Sequence, residues 1–212
     1  MGIPIAKEGW PFILIALGIT AIVFYFNGNV AVRVFFVLLA VFVIAFFRDP
    51  ERIVPSGNDT LVSPADGKII KIENVFEERL LKSEAVKISI FMNVFNVHVN
   101  RAPASCKVLK ILYNPGKFLS ANLDKASLEN EQNAVLAESL SGRKFVFNQI
   151  AGLIARRIVC RVSEGARLNK GERFGLIRFG SRVDVYLPKG TAVSVKLGDK
   201  VTAGVSVIAR WS

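Results

Sequence analysis

Gly180-Ser181 lies between strand-like runs in Arg178-Phe179-Gly180-Ser181-Arg182-Val183-Asp184-Val185-Tyr186-Leu187-Pro188. A backbone can cut itself at such a bond. Glycine leaves its carbonyl sterically open and admits strained turn dihedrals. The serine hydroxyl lies one residue from that carbonyl. If the hydroxyl attacks, the peptide becomes an ester, and elimination can then turn the serine into an N-terminal pyruvoyl group. That group would be an electrophilic cofactor made from the chain itself. Gly-Ser is also a common turn dipeptide, and alone it signifies no more than a turn.

Two other side chains suit the same chemistry. His98 is the one histidine, in Asn96-Val97-His98-Val99-Asn100-Arg101-Ala102-Pro103. It is the side chain whose ordinary pKa suits proton transfer near neutral pH. Asp66 sits in Ser63-Pro64-Ala65-Asp66-Gly67. It reads either as a turn aspartate before glycine or as a carboxylate that orients an imidazole, as in a Ser-His-Asp arrangement. Ser181, His98 and Asp66 would then form a triad spread over three strand ends. Cys106 and Cys160 lie in apolar, strand-like surroundings without metal-ligand spacing, so buried thiols are expected and no metal site.

The elements that must position these residues follow from the apolar pattern. The 212-residue chain is 51% hydrophobic, and the excess lies at the N-terminus. Trp10 to Phe26 carries no charge, and Val30 to Phe47 carries only Arg33. Each run is near the lower limit for a membrane-spanning helix, and Asn27-Gly28-Asn29 between them is a turn signal. A helical hairpin over residues 1–47, spanning or embedded in a membrane, is expected; a signal peptide or buried core helices are the alternatives. A linker over 48–59 follows, and the β-rich remainder runs over 60–212. Residues 1–47 hold two basic residues (Lys7, Arg33) and one acidic (Glu8), leaving 26 basic and 16 acidic, a net +10, for the rest. That charge suits an anionic bilayer, and no nucleic-acid-binding motif accompanies it. The basic flank of the second run places the domain on the cytoplasmic side of the cell membrane.

From residue 60 the pattern is short strands and turns, predicting a mainly β, sandwich- or barrel-like domain with hammerhead-like hairpins behind the α-helical membrane hairpin. Strands are expected over 67–72, 85–100, 106–113, 144–147, 154–162 and 183–187. The last alternates like a half-buried strand. The polar segment Lys117 to Glu138 reads instead as a helix or an ordered loop crossing the site. Gly165-Ala166-Arg167-Leu168-Asn169-Lys170-Gly171 echoes Gly198-Asp199-Lys200-Val201-Thr202-Ala203-Gly204, which predicts two related hairpins flanking the Gly-Ser site. Lipoyl-type domains use similar hairpins, but no Met-Lys-Met attachment signal is present.

Taken in order, Phe46-Phe47-Arg48-Asp49-Pro50-Glu51-Arg52, Ser63-Pro64-Ala65-Asp66-Gly67, the segment His98 to Pro103, and Phe179-Gly180-Ser181-Arg182-Val183-Asp184 resemble the phosphatidylserine decarboxylase proenzymes of the short bacterial and archaeal type. Longer members of that family carry Leu-Gly-Ser-Thr at the cleavage point and two histidines near the position of His98. Here Arg101 stands roughly where the second would be. The resemblance implies that Asp66 orients His98, that His98 activates Ser181, and that cleavage between Gly180 and Ser181 yields chains 1–180 and 181–212. The second chain would begin with a pyruvoyl cofactor formed from Ser181. The implied reaction takes phosphatidylserine to phosphatidylethanolamine and CO2 through a Schiff base, with His98 returning the proton. Arg101, Arg156 and Arg157 are candidates to hold the lipid phosphate and carboxylate. The implied partners are the phospholipid bilayer and the two fragments of one precursor, and a homodimer is left open. The alternatives are a pyruvoyl decarboxylase of another headgroup or amino acid, and a non-enzymatic, membrane-anchored β module that binds anionic lipid.

Overall fold

The computed structural model describes residues 4–116, 130–152, 157–178 and 181–211. They form two compact units, Met1–Glu51 and Arg52–Ser212.

The first unit is a helical hairpin, α1 (Trp10–Phe26) and α2 (Val30–Phe46), close to the two apolar runs of the sequence. Asn29 caps α2, its side chain accepting the amides of Ala31 and Val32, as asparagine does at helix starts. Arg33, the one charge within the runs, serves the end of α1. Its Nε donates to Asn27 O at 2.7 Å and its Nη2 to Phe24 O at 3.0 Å. A cation there meets carbonyls that have no partner further along the helix. The helix over Lys7–Phe26 is long and apolar enough to cross a membrane; Val30–Phe46 is shorter.

The second unit is mainly β. Its strands are β1 (Thr60–Val62), β2 (Gly67–Glu77), β3 (Ser83–Met92), β4 (Val99–Arg101), β5 (Cys106–Asn114), β6 (Gln132–Ser139), β7 (Lys144–Ala151), β8 (Arg157–Cys160), β9 (Arg167–Leu168), β10 (Arg173–Arg178), β11 (Ser181–Pro188), β12 (Ala192–Val193), β13 (Lys200–Val201) and β14 (Val207–Arg210). Eight of them make a curled half-barrel in the order β13-β2-β3-β11-β7-β6-β5-β9. Two small sheets, β1-β14-β12 and β4-β10-β8, complete the unit.

The pairing is a twofold repeat that the two glycine turns only hint at in the sequence. The order of the large sheet reads alike from both ends, with β2 answering β5, β3 answering β6, and β11 answering β7. Leu61↔Ala209 in one small sheet answers Asn100↔Gly175 in the other. Val62 N–H donates to Pro103 O at 2.8 Å, and Arg101 N–H donates to Pro64 O at 2.9 Å. The echoed turns end at the same contact in each half: Gly204 N–H reaches Ser63 O, and Gly171 N–H reaches Ala102 O, both at 2.8 Å. They meet at Arg101 rather than standing apart, since a Cβ on Gly204 would lie 2.9 Å from Arg101 Cδ and 3.6 Å from Gly171 Cα.

One apolar core, including Ile88, Ile90, Phe145, Phe147, Phe174, Val183, Val185 and Leu187, fills the curl. Two sequence expectations change here. The strand at 183–187 begins at Ser181 and is not half-buried. It is central, and Arg182 and Asp184 on its other face are also fully buried. Their ion pair is two-pointed, Nη2 to Oδ2 at 2.9 Å and Nε to Oδ1 at 2.8 Å, as a buried charge requires. The segment Lys117 to Glu138 is not a helix in its described part: Gln132–Ser139 is strand β6, and residues 117–129 lie outside the described residues. Strand β6 pairs on both sides, so its polar residues do not show the alternation of a half-exposed strand.

Candidate active site

Ser181 is the first residue of β11, opposite Met92 of β3 on one side and Ala151 of β7 on the other. It is fully buried, and its Oγ donates to Met92 Sδ at 3.3 Å. The sequence suggested a serine in a turn; the structure makes it the end of a central strand, which fixes its backbone. Gly180 lies outside the described residues.

His98 is fully buried just ahead of β4. The long strand expected over 85–100 is broken at Asn93–Val97, where Asn93 N–H donates to Asn96 Oδ1 and Phe95 N–H to Asn93 Oδ1, each at 2.9 Å. This side-chain-closed turn reverses the chain and brings His98 back beside β10. There its carbonyl accepts Ile177 N–H at 3.3 Å. The strand that follows His98 approaches Ser181 at Met92, whose Sδ lies 3.3 Å from Ser181 Oγ and 3.7 Å from Asn100 Nδ2.

His98 Nδ1 lies 2.9 Å from Asn96 O. A carbonyl can only accept, so Nδ1 carries a proton, and in the neutral ring Nε2 carries the lone pair. In a Ser-His-Asp triad a carboxylate holds that Nδ1 proton; here a backbone carbonyl holds it. Asp66 has other partners. Its Oδ1 accepts Ala203 N–H at 2.7 Å and its Oδ2 pairs with Arg52 at 3.0 Å. The twofold repeat explains the first contact, because Ser105 Oγ accepts Lys170 N–H in the answering turn at 3.0 Å. Asp66 therefore ties a hairpin, as Ser105 does, and adds a charge that holds Arg52.

The three arginines fare differently. Arg101 is buried, and its Nη1 donates to Gly171 O at 3.0 Å. It sits at the junction of the two turns. Arg157 is exposed at the start of β8 and lies opposite Arg178 at the end of β10. Directly opposed residues of an antiparallel pair share a face, and like charges there repel, so the pair suits an anion. Sequence reasoning left Arg178 out, although it stands three residues before Ser181. Arg156 lies outside the described residues.

Cys106 is the buried thiol expected, whereas Cys160 is half-buried. Burial pushes the Cys106 thiol up to about 12, and both cysteines are free. No cluster with metal-ligand composition occurs among the described residues. A cleft of about 310 Å3 opens elsewhere, against Glu77, Arg79, Lys87, Gln132, Asn148 and Tyr186, and includes none of the expected site residues.

Comparison with known proteins adds an independent result. Residues 39–209 match the family model described as phosphatidylserine decarboxylase. A protein of Syntrophus aciditrophicus named phosphatidylserine decarboxylase proenzyme is 53% identical over 208 residues, covering 98% of this chain and 97% of its own. A Magnetococcus marinus protein of the same name is 50% identical, covering 97% and 94%. One from Neisseria gonorrhoeae is 50% identical, covering 97% and 78%.

Proposed function

The chain belongs to the phosphatidylserine decarboxylase family, and from that premise we propose that it is a proenzyme which cuts itself at Gly180-Ser181 and decarboxylates phosphatidylserine at a bilayer. The observation that supports the reading is the Met92 sulfur, which receives both the hydroxyl of buried Ser181 and the side-chain amide of Asn100, two residues beyond the buried His98.

In the precursor, His98 Nε2 takes the hydroxyl proton of Ser181. The Oγ attacks the carbonyl carbon of Gly180. A C–O bond forms, the C–N bond to residue 181 breaks, and the freed amine takes a proton, leaving an ester. Removal of the Cα proton of residue 181 then breaks the Cβ–O bond. Gly180 leaves as a carboxylate. The resulting dehydroalanine takes up water and loses ammonia, which leaves the pyruvoyl group. The surroundings of residue 181 suit both forms. A thioether accepts a weak hydrogen bond from a hydroxyl and packs equally well against a methyl, and Met92 Sδ lies against the Oγ position. When formed, the group supplies a ketone that takes up the substrate amine and accepts the electron pair released with CO2.

The chain's own residues do the rest. Strand β11 pairs with β3 from Ser181 to Pro188 and with β7 from Ser181 to Tyr186, so the fragment 181–212 stays held after cleavage. Arg157 and Arg178 are the pair for the headgroup phosphate or carboxylate. Arg101 and Asp66 act at one remove, by fixing the two turns and the strand that follows His98. The hairpin of residues 1–47 keeps the domain at the cytoplasmic face of the membrane, where effective concentration does much of the work.

The test is CO2 release from phosphatidylserine, in vesicles and as a dispersed short-chain lipid. The intact protein is expected to release CO2 from both. Deleting residues 1–47 is expected to lower the vesicle rate roughly tenfold or more and the dispersed rate by less than about twofold. No CO2 from either substrate would overturn the activity; equal losses on both would overturn the tethering.

A further inference from the structure

A file of buried side-chain amides leads to Ser181. Asn133 Nδ2 donates to Gln149 Oε1 at 3.1 Å, and Gln149 Nε2 donates to Asn100 Oδ1 at 2.9 Å. Asn100 Nδ2 then points at Met92 Sδ, 3.7 Å away, the same sulfur that receives the Ser181 hydroxyl. Asn133, Gln149 and Asn100 are each at most 2% exposed. Gln149 and Asn100 each have their orientation set by the amide before them, because the carbonyl oxygen must face a donor. The file ends weakly. The amide nitrogen of Asn100 carries two N–H groups, and the sulfur, a poor acceptor, is its partner among the described residues.

The fold itself does not call for these amides. In the answering half of the repeat, the position of Asn100 is held by Leu61, that of Gln149 by Leu187, and that of Asn133 by Val86. The registers establish the match: Asn100↔Gly175 answers Leu61↔Ala209, and Asn133↔Gln149 answers Val86↔Leu187. All three counterparts are buried and apolar. The half that carries His98 has a polar triplet where the half that carries Ser181 has an apolar one, which costs stability unless the groups are satisfied. Gly175 accommodates the exchange. A Cβ there would lie 2.9 Å from Gln149 Nε2, and its counterpart is Ala209, which carries a Cβ.

We propose that Asn100, aimed by Gln149 and Asn133, is a positioning residue for self-cleavage. Through Met92 it holds the Ser181 hydroxyl, and it presents an N–H toward the oxygen as that oxygen loses its proton to His98. A hydrogen-bond donor near a developing alkoxide lowers the cost of the charge in a site that excludes water. The inference rests on the self-cleavage reading above.

The experiment follows newly synthesised full-length precursor in the presence of vesicles, reading conversion to two chains on a denaturing gel over time. Asn100→Leu is expected to slow conversion about tenfold to a hundredfold, the range in which misplacement of a reacting group acts. Gln149→Met alone is expected to slow it by a smaller factor and to add nothing in the Asn100→Leu background. Hydroxylamine, which cuts an ester but not a peptide, is expected not to restore the rate, because ester formation is the slowed step. Wild-type conversion rates in both single variants would overturn the proposal. So would full additivity of the two changes, or restoration by hydroxylamine. Should Asn100→Leu fail to fold, as judged by its melting curve, Gln149→Met alone decides: slowed conversion supports the proposal and wild-type conversion overturns it. A wild-type precursor that never converts would instead sink the self-cleavage reading.

Discussion

Ser181→Ala leaves the chain whole. Cleavage requires an oxygen on the Cβ of residue 181, and the substitution removes that atom while changing little else. Alanine fits the site, since the Ser181 side chain lies against the Met92 sulfur and a methyl packs there as readily as a hydroxyl. The backbone pairing of Ser181 with Met92 and Ala151 does not depend on the side chain. The variant should therefore fold and melt like the unprocessed parent while showing one band on a denaturing gel. It should release no CO2 from phosphatidylserine at any concentration. Two bands from this variant would mean that another nucleophile cuts the chain.

His98→Gln slows conversion about a hundredfold or more, within the range that a positioned general base contributes. The effect is specific to Nε2. Glutamine can place a donor near Asn96 O, as Nδ1–H does now, but its amide takes up no proton near neutral pH. The hydroxyl then has no base, because Asp66 is engaged by Arg52 and Ala203. Fragment formation over hours, read by gel beside an Asp66→Asn variant, separates the two residues. The His98 variant should be much the slower. A reversed order would return the leading role to Asp66.

How far such roles can be read from sequence depends on what kind of signal each leaves. The helical hairpin was legible because two apolar runs broken by a single charge, Arg33, and an Asn-Gly-Asn turn between them have one good solution. Ser181 was legible by its neighbour Gly180, yet its place at the head of a strand was not, since Gly-Ser looks the same in a turn. Arg182 and Asp184 hid the centrality of β11: charged residues at alternate positions normally mean solvent, and only a mutual ion pair allows both to be buried. Asp66 looked like a triad member because an aspartate, a histidine and a serine in three separate stretches of the chain make up a Ser-His-Asp set. Its counterpart Ser105, doing the same hairpin work, became visible only when the strands were paired. The polar file ending at Asn100 left no sequence signal. Its members lie on β4, β6 and β7, and each is unremarkable among its own neighbours.

The intact mass of the full-length protein, purified from membranes after prolonged incubation, bears most directly on the central claim. The account predicts two chains, one ending at Gly180 and one of residues 181–212, with the second lacking a free amino terminus and gaining mass on borohydride reduction. A single unmodified chain of 212 residues, in a preparation that releases CO2 from phosphatidylserine, would contradict it.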